Sequence, residues 1–161
     1  MAMERKAGNR KWWRFQAKKE FNEELLSIDR VTRVTSWGRQ LRFRAVMVIW
    51  DGKGKIGLGT WKSWEVVDAI AKAIKDAKKN IKIVDVKSWT VPYDIKVKDK
   101  SAIVMLHPAS EWTWIIAWGA VRKVLAVAWF KDILAKRYGS TNKINNARAT
   151  IKALTSFKKI K

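Results

Sequence analysis

The chain has 161 residues, enough for one domain or two small ones, and its 48% hydrophobic content is ample for a core. Its 35 Lys and Arg against 14 Asp and Glu leave a formal charge of +21, and a chain so charged repels itself unless it meets a polyanion, with nucleic acid a better fit than an acidic membrane. The absence of cysteine excludes a disulfide framework and a thiolate nucleophile, the single His107 excludes a two-histidine metal motif, and no apolar run approaches the roughly 20 residues of a bilayer span, so a cytoplasmic protein with no metal, cofactor, membrane or small-molecule substrate is expected.

Residues 1–19 hold Arg5, Lys6, Arg10, Lys11, Arg14, Lys18 and Lys19 against Glu4, a basic flexible arm expected to order on meeting phosphate. Glu20 to Ser27 reads as a short helix through Phe21, Leu25 and Leu26. Ile28 to Thr35 reads as a strand with Arg30 and Arg33 flanking its apolar positions, and Ser36-Trp37-Gly38-Arg39 turns it into the next. There Leu41, Phe43, Ala45, Met47 and Ile49 alternate with Gln40, Arg42 and Arg44, the period of a half-buried strand. Asp51-Gly52-Lys53-Gly54 supplies turn chemistry, and a strand over Lys55 to Thr60 follows. Ser63 is placed to cap a helix whose first turn holds Glu65 and whose Val66, Val67, Ile70, Ile74 and Ala77 recur at helical spacing. The product is a basic hairpin with a helix behind it, a three-stranded domain over 20–83.

A second domain is expected over 84–157, with a basic tail at 158–161. Ile81 to Val86 reads as a connector or strand. Thr90 to Val97 and Ser101 to His107 suit strands joined by the turn Lys98-Asp99-Lys100, with His107 a polar residue at a strand end. Ile115 to Trp129 interleaves small and apolar residues, and Asp132 to Arg137 and Lys143 to Phe157 look helical. The fold class is therefore α+β in both halves.

Eleven tryptophans stand where a face cannot form: in the arm, beside turns, at a strand-to-helix junction, and crowded at Trp112, Trp114 and Trp118. Rings that stack on bases need fixed positions on a sheet, and many of these places are ones where glycine is expected. Some bacteria read UGA as glycine and other codes read it as tryptophan, so a native chain with glycine at most of these sites is expected. Forcing a bulky residue into a left-handed conformation costs roughly 1–2 kcal/mol, and the sum over many sites would rival the whole stability of about 5–15 kcal/mol.

The chain resembles the small-subunit ribosomal protein S-five family. The resemblance rests on Ile28-Asp-Arg-Val, Asp51-Gly-Lys-Gly-Lys-Ile-Gly-Leu-Gly, Lys62-Ser-Trp-Glu-Val, Pro108-Ala-Ser-Glu, Gly119-Ala-Val-Arg, Asp132-Ile-Leu-Ala-Lys, Tyr138-Gly-Ser-Thr-Asn and Asn146-Ala-Arg-Ala-Thr, in the family's order over about 20–157. The family's phrases have glycine where this chain has Trp37, Trp50, Trp112, Trp114, Trp118 and Trp129, and Trp61 and Trp89 fall on glycines as well. The resemblance implies a double-stranded-RNA-binding-like fold in the first half, a second α+β domain of the S-five C-terminal type, and no catalysis. It implies binding to small-subunit ribosomal RNA, contact with the neighbouring ribosomal proteins S-four and S-eight, and a place near the messenger RNA entry channel, supporting subunit assembly and decoding accuracy. The loop Ser36-Trp37-Gly38-Arg39 would reach into RNA, with Ser36 replacing the family's lysine, and Trp112, Trp114 and Arg122 would lie at a protein interface.

Double-helical RNA is gripped through its minor groove and phosphates rather than read base by base. Arg30, Arg33, Arg39, Arg42, Lys53, Lys55 and Lys62 are the candidates for that grip. Against an enzyme stands the absence of a Gly-rich loop followed by Lys-Ser or Lys-Thr. Against a membrane-active protein stands the scatter of the tryptophans, which form no amphipathic face. The rival reading kept is a double-stranded-RNA binder or RNA chaperone that works outside the ribosome.

Overall fold

The computed structural model describes residues 21–84 and 89–157, so the basic arm at 1–19, with Trp12 and Trp13, and the basic tail at 158–161 lie outside the described residues. Strand β1 (Asn22–Thr35) pairs antiparallel with β2 (Gly38–Trp50), and β2 pairs antiparallel with β3 (Lys55–Ser63). Helix α1 (Val66–Lys79) follows, and β4 (Ile81–Ile83) returns to the free edge of β3, giving the order β1-β2-β3-β4. The first sheet thus has four strands rather than three.

Of the stretch Glu20 to Ser27, expected as a helix, Glu20 lies outside the described residues and Asn22 to Ser27 are the start of β1. Glu and Leu favour a helix locally, but Asn22 to Leu25 pair with Trp50 to Met47, and long-range pairing wins. The two leucines record the outcome. Leu25 packs on the side of Ala45 and Met47, while Leu26 joins the main core on the other side, with a register shift between Leu25 and Ser27. Ser63 also departs from expectation, since it closes β3 and is buried; Glu65 takes the N-cap position of α1 without a side-chain cap bond.

Helix α1 lies close on the sheet because β3 carries Gly57 and Gly59, where a Cβ would collide with the backbone oxygens of Ala77 and Ala73. Ala69 and Ala73 meet Ala45 and Met47 there, and the Thr60 N–H donates to Asp76 Oδ2 at 3.0 Å.

The second sheet contains β5 (Ile95–Asp99), β6 (Ala102–Pro108), β7 (Ile115–Ile116) and β8 (Ile133–Gly139) in the order β5-β6-β8-β7, with β7 parallel to β8 and the other pairs antiparallel. The helix expected over Asp132 to Arg137 is therefore β8. Its Ile133 and Ala135 face inward and Leu134 and Lys136 outward, a period of two that the flanking β6 imposes. Helices α2 (Ala120–Val127) and α3 (Lys143–Ser156) cover the inner face, α3 capped by Asn142, whose Oδ1 accepts from Ile144 N at 3.1 Å. His107 stands one residue from the end of β6, with Nδ1 2.8 Å from Asp94 Oδ1.

One core joins the two sheets. Leu26, Val46, Val48, Trp50 and Ile56 of the first half share a cluster with Val104, Leu106, Val121, Leu125 and Leu154 of the second. The even-numbered residues of β2, expected on a polar face, are consequently buried from Val46 to Trp50. The second half packs on that face, while α1 packs on the other.

Candidate nucleic-acid interface

The β1–β2 hairpin outruns this core. Beyond the Asp29–Arg44 pair its strands continue to Thr35 and Gly38, joined by the two-residue tip Ser36-Trp37, with Thr35 Oγ1 donating to Gly38 O at 3.0 Å. Arg30, Arg33, Ser36, Trp37, Gly38, Arg39 and Arg42 are all exposed on this extension. Residues directly opposite in an antiparallel pair point to the same face, so the register sorts the cations. Arg33 faces with Gln40, and Arg42 with Val31; Lys62 follows on that face through its pairing with Arg44. Arg30 opposes Phe43 and Arg39 opposes Val34 on the other face. The extension therefore carries positive charge on both sides.

Two of its arginines are already engaged. Arg44 Nη2 sits 2.9 Å from Asp29 Oδ2, half-buried at the root of the hairpin. The Arg42 guanidinium lies 5.1 Å over the Trp64 ring. Arg30, Arg33 and Arg39 make no ion pair within the described residues.

Lys53 and Lys55 belong to a different place. β2 spans 13 residues, roughly 40 Å of extended chain, and these lysines flank the turn at its far end. The turn is built on Asp51, whose Oδ1 accepts from Lys53 N at 2.8 Å and Lys55 N at 3.0 Å, with Gly52 and Gly54 supplying positive φ. Partial burial opposes ionisation of Asp51, but the two N–H donors and the Lys55 ammonium together outweigh it and hold the carboxyl below its ordinary range.

Trp112, Trp114 and Arg122 are all exposed in the second half, and Trp112 and Trp114 line one cleft. Trp112 and Trp114 stand in the loop before β7, where Trp114 N donates to Asp132 Oδ1 at 3.1 Å. Arg122 rises from α2, the helix that also sends Lys123 Nζ across to Leu25 O at 2.6 Å.

Sequence reasoning missed the outer face of the second sheet. Lys96, Met105 and Lys136 line up across it, as do Lys98, Ile103 and Tyr138, and Lys96 lies 5.7 Å over the Tyr138 ring. Alternation in Ile95–Asp99 was a usable signal; in Ile133–Gly139 a helical reading hid it.

No group of three or more acidic, His or Cys side chains that could hold a metal occurs among the described residues, and none of their helices is long and apolar enough to cross a membrane. The described residues thus form a basic α+β protein with a projecting cationic hairpin. Residues 21–85 match the family described as ribosomal protein S5, N-terminal domain, and residues 97–161 match ribosomal protein S5, C-terminal domain. The chain is 46% identical over 141 residues to the small ribosomal subunit protein uS5 of Campylobacter jejuni strain 81-176, covering 88% of this chain and 96% of that protein. The proteins of the same name from strains 81116 and RM1221 match to the same extent. The chain belongs to the ribosomal protein S5 family, and as a protein of the small subunit it is located in the cytoplasmic ribosome.

Proposed function

We propose that the chain binds small-subunit ribosomal RNA through the β1–β2 extension and does no chemistry of its own. The observation that carries this is the set of unpaired, exposed arginines, Arg30, Arg33 and Arg39, on a ribbon that leaves the core and displays charge on both faces. Such a ribbon can lie along a helical groove with phosphates on either side. Ser36, Trp37 and Gly38 enter the RNA first, Arg42 and Lys62 follow on one face, and Lys53 and Lys55 meet a separate stretch of backbone. Arg122 and the loop of Trp112 and Trp114 face neighbouring ribosomal proteins, S-four and S-eight, and the whole supports subunit assembly, decoding accuracy and the messenger RNA entry channel. In this proposal the basic arm is 1–19, the RNA-binding half 20–83, the second half 84–157 and the tail 158–161.

The salt dependence of binding to a small-subunit ribosomal RNA fragment tests it. Each true phosphate contact removed lowers the slope of log K against log salt by about one. Arg33→Ala and Arg39→Ala should each do so, and unchanged slopes would take the hairpin out of the interface. Failure of the chain to sediment with small subunits would favour an extraribosomal RNA binder.

A further inference from the structure

Eight of the nine tryptophans among the described residues are exposed, Trp37 to 97% and Trp112 to 82%, although tryptophan is ordinarily a largely buried residue. The ninth, Trp50, is buried with its indole N–H unpaired. No indole N–H of these nine makes a hydrogen bond, so the rings are tied to nothing by their polar atom.

The backbone at these positions, by contrast, does specific work. Only four residues other than glycine have positive φ among those described, and three are Trp112 (72°), Trp114 (62°) and Trp129 (65°). Trp129 follows the C-cap of α2, Ala128, at the position where a left-handed residue ends a helix. Its N–H donates to Ala126 O at 3.1 Å, and the next N–H, of Phe130, donates to Leu125 O at 3.2 Å. Those two bonds are the pair that defines the glycine-terminated Schellman ending, complete with a buried apolar residue, Phe130, just beyond it. Trp112 is the third residue of the turn Ser110 to Thr113, closed by Thr113 N donating to Ser110 O at 3.3 Å, and positive φ at that place is a glycine requirement. Trp89 contributes through its carbonyl, which accepts from both Lys131 N and Asp132 N.

From this we infer that the cell making this protein inserts glycine at 112, 114 and 129, and at the other sites sharing their codon. A single cause converts many scattered glycines to one other residue, namely a codon with two meanings. UGA is such a codon, read as glycine in some codes and as tryptophan in others. Two consequences follow for the surface. The cleft of about 250 Å³ lined by Trp89, Glu111, Trp112, Trp114, Lys131 and Asp132 loses three of its six lining side chains where those tryptophans are glycine. Arg42 and Lys131, now lying under Trp64 and Trp89 with Lys131 at 4.1 Å, become free for phosphate where those positions are glycine.

Fragment mass spectrometry of this protein from small subunits of the source cells decides the matter, on the tryptic peptides Ser101–Arg122 and Val124–Lys131. Glycine at 112, 114 and 129 is expected; tryptophan at these three, or UGG codons there, would overturn the inference. A recombinant chain gives an independent reading. W112G, W114G and W129G should each raise the folding equilibrium constant several-fold, because the left-handed strain goes and little buried surface is lost. Unchanged or lowered stability in all three would show that the backbone does not ask for glycine.

Discussion

β2 is one strand with two fates. From Ala45 to Trp50 it is buried on both faces, α1 on one side and the second half of the chain on the other; from Gly38 to Arg44 it meets solvent on both. A two-stranded ribbon is marginal by itself in water. The extension therefore depends on the buried half for its direction and contributes little stability in return. Residues in the sandwich should govern whether the protein folds, and residues on the extension whether it holds RNA.

The largest effects should come from the sandwich. Met47→Ala empties a site 4% exposed between β2 and α1 and should cost about 2–5 kcal/mol in urea unfolding. RNA binding by the fraction that remains folded should keep its salt slope; a lowered slope would mean that the two halves of β2 are not separable. Next in size is Gly59→Ala, whose methyl group meets the Ala73 carbonyl and must push α1 off the sheet, at about 1–3 kcal/mol. A neutral result there would show that α1 has room to move and that the close approach is not needed.

The alternation of Leu41 to Ile49 was legible because it is local, and with it one buried face. The burial of Val46, Val48 and Trp50 was not, since it depends on residues such as Val121 and Leu154 far along the chain. The same limit explains both strands mistaken for helices. Asn22–Ser27 and Ile133–Arg137 have helix-compatible residues, and only their partners, β2 and β6, make them strands. Exposure of the candidate arginines could be read from composition and pattern. Their division between two faces needs the register, and the roughly 40 Å between Lys55 and the hairpin tip needs β2 to be one unbroken strand.

Asp51 tests the far end of the same strand. Asp51→Ala removes the acceptor of two backbone N–H groups in a mostly solvent-facing turn and should cost about 1 kcal/mol at neutral pH. Because the folded-state carboxyl titrates below its ordinary value of 3.8, its contribution is complete above that value and is lost as pH falls through the lower, folded-state one. The stability gap between wild type and Asp51→Ala should thus close in acid. A gap that persisted well below pH 3.8 would mean that the neutral carboxyl serves as well, and that charge does not hold the turn.

The smallest effect on stability should accompany a clear effect on binding. Arg39 is exposed beside the tip, opposite Val34, with no ion pair to lose, so Arg39→Ala should leave stability within about 0.5 kcal/mol of wild type. Arg44 makes the contrast, since it sits five residues nearer the core and is bound to Asp29. Arg44→Ala leaves that carboxylate half-buried and unpaired, so it should lower stability more than Arg39→Ala does while changing the RNA salt slope less. If the two variants behaved alike in both measurements, no boundary between an anchored and a projecting part of the hairpin would lie between Arg39 and Arg44, and the division of β2 at its root would fail.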